Sequence, residues 1–355
     1  MNKLARIIAF YLPQFHPIPE NDKWWEKGFT EWTNVAKAKP MFRDHYQPHI
    51  PADLGFYDLR LPEIRIAQAE LAQKYGVEAF CYYHYWFAGK RLLERPFNEV
   101  LRSGAPDFPF CLCWANATWT GIWHGAPDRI LIEQTYPGMA DHEAHFEMLL
   151  EAFKDPRYVT VNGCPVFLVY RPKDIPDLPA VAALWRRLAV QAELPGIFLI
   201  GVKHLDDWNP LPNGFDAAVL QKLPPRVKGV PWRYPILKLR KLLNGNRLTI
   251  YNYEEVIDYF VQKESVGYME LPCVIPNWDN TSRSGMEGLI LHNSNPELFR
   301  RHFRAALYKV ADEPSEQRIV FLKAWNEWAE GNHVEPDLRF GRAYLEVIRE
   351  EIEAT

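Results

Sequence analysis

Eight short apolar runs recur along the chain, each almost continuously hydrophobic rather than alternating. They are residues 5–12 (ARIIAFYL), 78–86 (EAFCYYHYW), 109–114 (PFCLCW), 164–170 (CPVFLVY), 197–202 (IFLIGV), 216–220 (DAAVL), 272–277 (PCVIPN) and 319–325 (IVFLKAW). Such runs are what parallel strands show when both of their faces are covered. Helical spacing fills most of the gaps, over 61–75, 91–103, 140–154, 178–193, 253–264, 296–310 and 339–353. The first of these carries Pro62 in its opening turn and Gly76 just past its end, a matched start and stop signal. Only the connection over about 203–215 lacks a helical pattern. Eight strands alternating with seven helices predict a single (β/α)8 TIM-type barrel with elaborated βα loops. A doubly wound open sheet is the competing arrangement. The barrel is favoured because aromatic and charged residues cluster after nearly every strand, as a ring of βα loops requires.

No linker, repeat or low-complexity tract divides residues 1–355, which read as one catalytic domain. Two connections are long: 13–60 carries Trp24, Trp25, Trp32, His16, His45 and His49, and 114–139 carries Trp114, Asn116, Trp119, Trp123 and His124. Loops of that size are usually functional. A third excursion, a basic insertion at about 221–250, holds Arg226, Lys228, Arg233, Lys238, Arg240, Lys241 and Arg247 among apolar residues, with no acid between Ala217 and Tyr253. It reads equally as a lid for phosphate or an acidic glycan, as a peripheral contact with anionic lipid, or as a solvated excursion.

Composition adds one strong signal and several exclusions. Aromatic residues make up 14% of the chain, with 13 Trp and 17 Tyr, and flat rings that stack on sugar faces are how carbohydrate clefts are built. A net charge of −4 gives no reason to expect nucleic acid. The five cysteines, at 81, 111, 113, 164 and 273, form no CxxC and fall in apolar runs, so they read as reduced core residues. The N-terminal apolar stretch is broken by Arg6 and ends at Pro13, which suits a first strand better than a signal peptide. No apolar run reaches the length of a transmembrane segment. A cytoplasmic location is the expectation. With no convergent His and carboxylate set and no Gly-rich phosphate loop, no metal and no cofactor are expected.

The chemistry concentrates near the C-terminus, where Lys323-Ala-Trp-Asn-Glu-Trp-Ala-Glu-Gly331 follows the last strand. Glu327 and Glu330 stand three residues apart at the point where barrel enzymes keep their active sites. Two acids among indoles suit glycosidic chemistry, in which one carboxyl donates a proton while the other stays charged. An exposed acid pair in the first turn of a helix is the plainer reading. Candidate sugar contacts sit at other strand ends: His84 and Trp86, Trp114 and Asn116, Tyr170, and Trp278 with Asp279. Trp325 and Asn326 flank the acids, and Glu31 with Trp32 forms a further acid in an aromatic setting.

The opening, IAFYLPQFHPIPENDKWWEKGFTEWTNVAKAKPMFRDHYQPHIPADLGFYDLR, closely resembles the WbsX-type proteins of bacterial polysaccharide gene sets, whose domain is called glycoside hydrolase family 99-like. The resemblance runs from about residue 5 to residue 345. A more distant likeness, through strand order and the final motif, is to the endo-α-mannosidases. Those are (β/α)8 barrels with Asn-Glu-Trp-His-Glu-Gly after the last strand; here the matching residues are Asn326 to Gly331, with Ala329 in place of His. The likeness implies retaining chemistry in which Glu327 is a base on the sugar 2-hydroxyl, whose oxygen displaces the leaving group through an epoxide. Glu330 is then the general acid/base, and Tyr11 a cleft residue. The implied substrate is an α-linked, manno- or rhamno-configured glycan of a surface polysaccharide, an oligosaccharide or polysaccharide that is lipid-linked in some readings. A glycosyltransferase or transglycosylase of O-antigen or capsule assembly is the first alternative, and a non-catalytic glycan-binding barrel the second. Retention of both glutamates weighs against the latter.

Overall fold

A computed structural model of the chain describes residues 4–121, 126–204, 207–224, 248–261 and 266–353. All eight apolar runs form strands: β1 (Arg6–Tyr11), β2 (Ala79–Phe87), β3 (Phe110–Trp114), β4 (Cys164–Val169), β5 (Phe198–Lys203), β6 (Ala217–Leu220), β7 (Met269–Val274) and β8 (Ile319–Leu322). Each pairs in parallel with the next. The sheet closes where β1 pairs with β8, Ala9 opposite Leu322, while Tyr11 lies opposite Tyr82 of β2. The result is a (β/α)8 barrel.

Helices cover the barrel where the spacing predicts them: α1 (Pro62–Lys74), α2 (Arg95–Ser103), α3 (Met139–Phe153), α4 (Leu178–Gln191), α5 (Tyr253–Val261), α6 (Pro296–Val310) and α7 (Ala343–Glu353). α6 starts cleanly because the Asn295 side chain accepts from Leu298 N at 3.0 Å, with Pro296 in the first turn. Among its described residues, the connection from β5 to β6 holds only a 3-10 turn at Leu211–Asn213. Trp208 fills the vacant flank instead, its ring so close to Gly201 that a Cβ there would meet it at 2.1 Å.

Four expected boundaries move. The helix expected over 91–103 begins only at Arg95, because β2 runs on to Phe87 and folds back through Ala88 and Gly89, both at positive φ, into a short strand at Lys90–Leu92. The last helix starts at Ala343, not 339, since the Asp337 carboxylate first accepts from the N–H groups of Arg339 and Phe340. β7 and β8 end earlier than their apolar runs, and beyond their ends Trp278 and Lys323 line the cleft. Most of the basic insertion at about 221–250 lies outside the described residues.

The first long loop folds into helices at Pro19–Trp24 and Glu31–Lys37. After β3, Trp119–Gly121 pairs antiparallel with Ala126–Ile132. Outside the barrel, Thr249–Asn252 pairs in parallel with Leu289–His292. Among the described residues no helix is long and apolar enough to cross a membrane.

Candidate active site

β8 ends at Leu322, and the chain then makes a short ladder in which Asn326 and Glu327 pair with His333 and Asn332. Between these rungs Trp328–Glu330 forms a single 3-10 turn that closes at Gly331, which adopts the left-handed conformation at φ 52°. The turn folds Glu330 back over Glu327, so both carboxyls face one cleft instead of fanning out along a helix. Gly331 is required there. A Cβ would lie 3.0–3.1 Å from the side chain and backbone of Asp279. Asp279 in turn donates its N–H to the Glu330 carbonyl, which ties the turn to the loop after β7.

The cleft encloses about 680 Å³ including open solvent, a size suited to a sugar ring and its neighbours. Its walls are the rings of Tyr83, Tyr85, Trp119, Tyr170 and Trp278, with Gln14 from the first loop. Its floor is charged. Lys323 Nζ stands 3.2 Å from Glu327 Oε1, 3.9 Å from Glu330 Oε2 and 3.1 Å from the Tyr83 hydroxyl. Arg283 Nη1 lies 2.7 Å from Glu330 Oε1, and its Nη2 is 3.6 Å from Glu327 Oε2. Behind Arg283, fully buried Glu31 accepts from its Nη2 at 2.8 Å and its Nε at 3.1 Å.

This setting splits the two glutamates. Burial pushes the Glu327 carboxyl up, but the Lys323 ammonium, the Arg283 guanidinium and a hydrogen bond from Glu330 outweigh it and hold Glu327 below its ordinary value. Burial and the charge on Glu327 push Glu330 up to about 7. Between the ordinary carboxylate range and neutral pH the pair therefore carries one proton, held mainly on Glu330, as an acid/base couple requires. Lys323 stays charged: burial opposes its charge, and the Glu327 carboxylate beside it outweighs the burial. The Glu330 side chain is 17% exposed and that of Glu327 5%, so the acid is the more open of the two.

The model of the family described as "Glycosyltransferase WbsX" matches residues 7–348. The chain belongs to the WbsX glycosyltransferase family. This WbsX chain is 41% identical over 348 residues to the uncharacterized protein WxcX of Xanthomonas campestris pv. campestris, in strain B100 and in a second strain. The match covers 98% of this chain and 49% of WxcX, so the chain spans about half the length of these relatives. Among solved structures, a glycoside hydrolase-like protein aligns with TM-score 0.60 at 15% identity, covering 99% of this chain and 94% of that one. The GH99 endo-α-mannosidase of Bacteroides thetaiotaomicron aligns with TM-score 0.56 at 14% identity, covering 98% and 96%. The barrel is thus one that glycoside hydrolases also use.

Of the residues that the sequence singles out in this WbsX chain, Glu327, Glu330, Tyr170 and Trp278 line the cleft. The others are placed elsewhere. Tyr11, expected in the cleft, faces the helical layer, where its hydroxyl donates to Gln68 of α1 at 2.6 Å. His84 also points outward, onto His145 of α3 at 2.9 Å, and Trp86 stacks on that same imidazole at 4.8 Å. Trp114 is fully buried and packs edge-on against His145 and Trp185. Asn116 clamps a loop, accepting from Arg171 N and donating to Arg171 O. Asn326 does the same for β1, accepting from Leu12 N at 2.7 Å and donating to Leu12 O at 3.1 Å. Trp325 is a core residue against Phe80, and Trp32 donates to Tyr57 O while packing on Trp328. Asp279 is buried against His45 at 2.6 Å and Thr281. Glu31 serves Arg283 and lies behind the cleft, out of a sugar's reach.

Sequence reasoning passes over Gln14, Tyr83, Tyr85, Lys323 and Arg283 as site residues, and marks Trp119 only as part of a long functional loop. For Lys323 a signal exists: it precedes Glu327 by four residues at the end of the last strand. Arg283 carries none, because its value comes from a contact between two loops that the barrel brings together.

Proposed function

We propose that this chain is a carbohydrate-active enzyme that cleaves or transfers an α-linked, manno- or rhamno-configured glycosyl unit of a bacterial surface polysaccharide with net retention. The observation that carries the reading is the acid pair itself: one ionised carboxylate and one protonated acid, held in an aromatic cleft at the mouth of the barrel. Glu327 is assigned as the base that takes the proton of the sugar 2-hydroxyl. O2 then bonds to C1 while the C1–leaving-group bond breaks, and Glu330 gives its proton to the departing oxygen. In the second half Glu330, now a carboxylate, takes a proton from the acceptor, whose oxygen attacks C1. The C1–O2 bond opens and O2 recovers its proton from Glu327. Two inversions at C1 give retention.

Water or a sugar hydroxyl fits the role of acceptor in this scheme. The family's description as a glycosyltransferase favours the sugar, and a lipid-linked oligosaccharide is then the natural acceptor class. The test uses aryl α-mannosides and α-rhamnosides, with product configuration followed by NMR in the presence and absence of acceptor glycans. A retained product, together with no turnover of the 2-deoxy donor, is the expected outcome. An inverted product, or a glycosyl ester trapped on Glu327 by mass spectrometry, would overturn the mechanism. A protein that binds glycans and turns over none of these donors would be the non-catalytic barrel.

A further inference from the structure

At the cleft floor and just behind it, five charged or chargeable groups form one connected chain of contacts, and the sugar chemistry uses only two of them. Glu327 and Glu330 carry the protons; Lys323, Arg283 and Glu31 have no step of their own. A buried cluster of this size is costly unless its charges balance, because uncompensated charge in a low-dielectric interior is expensive. Here they balance: two cations, Lys323 and Arg283, stand against two anions, Glu31 and Glu327, while Glu330 holds its proton.

The contacts are also divided. Lys323 is the nearer to Glu327, at 3.2 Å against 3.9 Å for Glu330. Arg283 is the nearer to Glu330, at 2.7 Å against 3.6 Å for Glu327. In the resting site, then, Lys323 sits on the ionised base, while Arg283, whose charge Glu31 already meets, also donates to an acid that holds its proton. That second contact gains its full strength only during the reaction. When Glu330 gives its proton to the leaving oxygen and Glu327 receives one from the 2-hydroxyl, the negative charge moves from Glu327 to Glu330. The net charge of the cluster is unchanged, and the new carboxylate appears where Arg283 already stands.

We propose that Lys323 and Arg283 are positioning residues that divide the two charge states of the acid pair between them. Lys323 holds the resting carboxylate of Glu327, and Arg283, locked in place by buried Glu31, receives the carboxylate left on Glu330 once its proton has gone. The inference rests on the role of the acid pair proposed above, and it assigns to Glu31 the task of aiming Arg283. The other titratable groups that face the pair are Tyr83 and Tyr85 of β2 and Tyr170 just after β4. Burial pushes all three hydroxyls up, so they stay protonated and add no charge to the balance.

The test needs no substrate. Protein labelled with ¹³C at the glutamate carboxyls is titrated by NMR, the two signals being assigned by their absence in Glu327→Gln and Glu330→Gln. Lys323→Met should raise the Glu327 midpoint by about 1–3 pH units, and Arg283→Met should raise that of Glu330 by a similar amount, the range expected when a carboxylate loses a contacting cation. Lys323→Arg should restore most of the first shift, which a merely space-filling role would not require. The wild type supplies a check that survives any folding failure of the variants. The ¹⁵Nζ signal of Lys323, assigned by its loss in Lys323→Arg, should titrate with the Glu330 midpoint as the pair gains its second charge. Unmoved carboxyl midpoints in folded variants, or a flat Nζ signal, would overturn the proposal. Loss of turnover in Glu330→Gln alongside unmoved midpoints would sink this inference and leave the acid pair's role intact. Full turnover in both glutamine variants would sink that role, whatever the titrations show.

Discussion

Glu330→Gln keeps the shape of the side chain and removes its proton, so its consequences can be worked from the site. With the Glu330 carboxyl pushed up to about 7, the acid form makes up about nine-tenths of the enzyme at pH 6 and about one-tenth at pH 8. Glu327 lies below its ordinary value of 4.5 and stays ionised throughout that range. For a sugar or alkyl leaving group, kcat/KM should be level over roughly pH 5–6.5 and then fall about tenfold per unit above pH 7.5. General acid assistance contributes about 10²- to 10⁴-fold, so the variant should lose roughly 3–5 kcal/mol of transition-state stabilisation on such substrates. A p-nitrophenyl glycoside needs little protonation of its leaving oxygen, and its cleavage step should fall by less than about tenfold. The assay is kcat/KM against pH for a series of aryl glycosides of graded leaving-group pKa, in wild type and variant. The variant should show a steep dependence on leaving group and no basic limb. A basic limb that persists in Glu330→Gln, or an equal loss across the series, would mean that the proton comes from another group.

Further outcomes follow from neighbouring contacts. Buried Glu335 accepts from Tyr57, Gln68 and Trp328, yet burial outweighs these bonds and its carboxyl is pushed up to about 7. Because the folded state then binds a proton that the unfolded chain releases above pH 4.5, stability falls as pH rises from 4.5 through 7, by at most about 3 kcal/mol. Urea unfolding between pH 5 and 7.5 should show a shallower pH dependence in Glu335→Gln than in wild type, and identical slopes would remove Glu335 as a cause. Gly331→Ala forces a side chain into the left-handed conformation against Asp279, at a cost of about 1–2 kcal/mol. Since Asp279 anchors the turn that carries Glu330, turnover should drop further than this loss of stability explains; parallel losses would argue against that anchoring. Asn326→Ala strands the Leu12 N–H and C=O in the core and should lower the unfolding free energy by about 1–3 kcal/mol, as measured by urea denaturation.

Several features of this protein are written in the sequence because they depend on short stretches of chain. The eight runs are hydrophobic on both faces, and only a parallel sheet wrapped in helices gives both faces somewhere to go. The acid pair is equally local: three residues separate Glu327 from Glu330, and the preceding strand delivers them to the barrel mouth. What the sequence leaves open is which side chains of each strand look inward. Alternation decides that, and a strand as uniformly aromatic as Ala79–Phe87 offers no polar face to set its phase. Tyr83 and Tyr85 turn to the cleft, while Tyr82, His84 and Trp86 turn to the helices. A shift of one residue would exchange the two sets, which is why His84 and Trp86 read as site residues from sequence and are wall residues in the fold; Tyr11, placed in the cleft by the family resemblance, turns to the helices as well. Tertiary structure alone assembles the charged floor. Glu31, Arg283 and Lys323 come from the loop after β1, the loop after β7 and the end of β8, more than two hundred residues separating the first two. Only closure of β1 onto β8 brings Glu31 onto Arg283 and sets Arg283 and Lys323 against the acid pair, and with that closure Glu327 and Glu330 become two different acids.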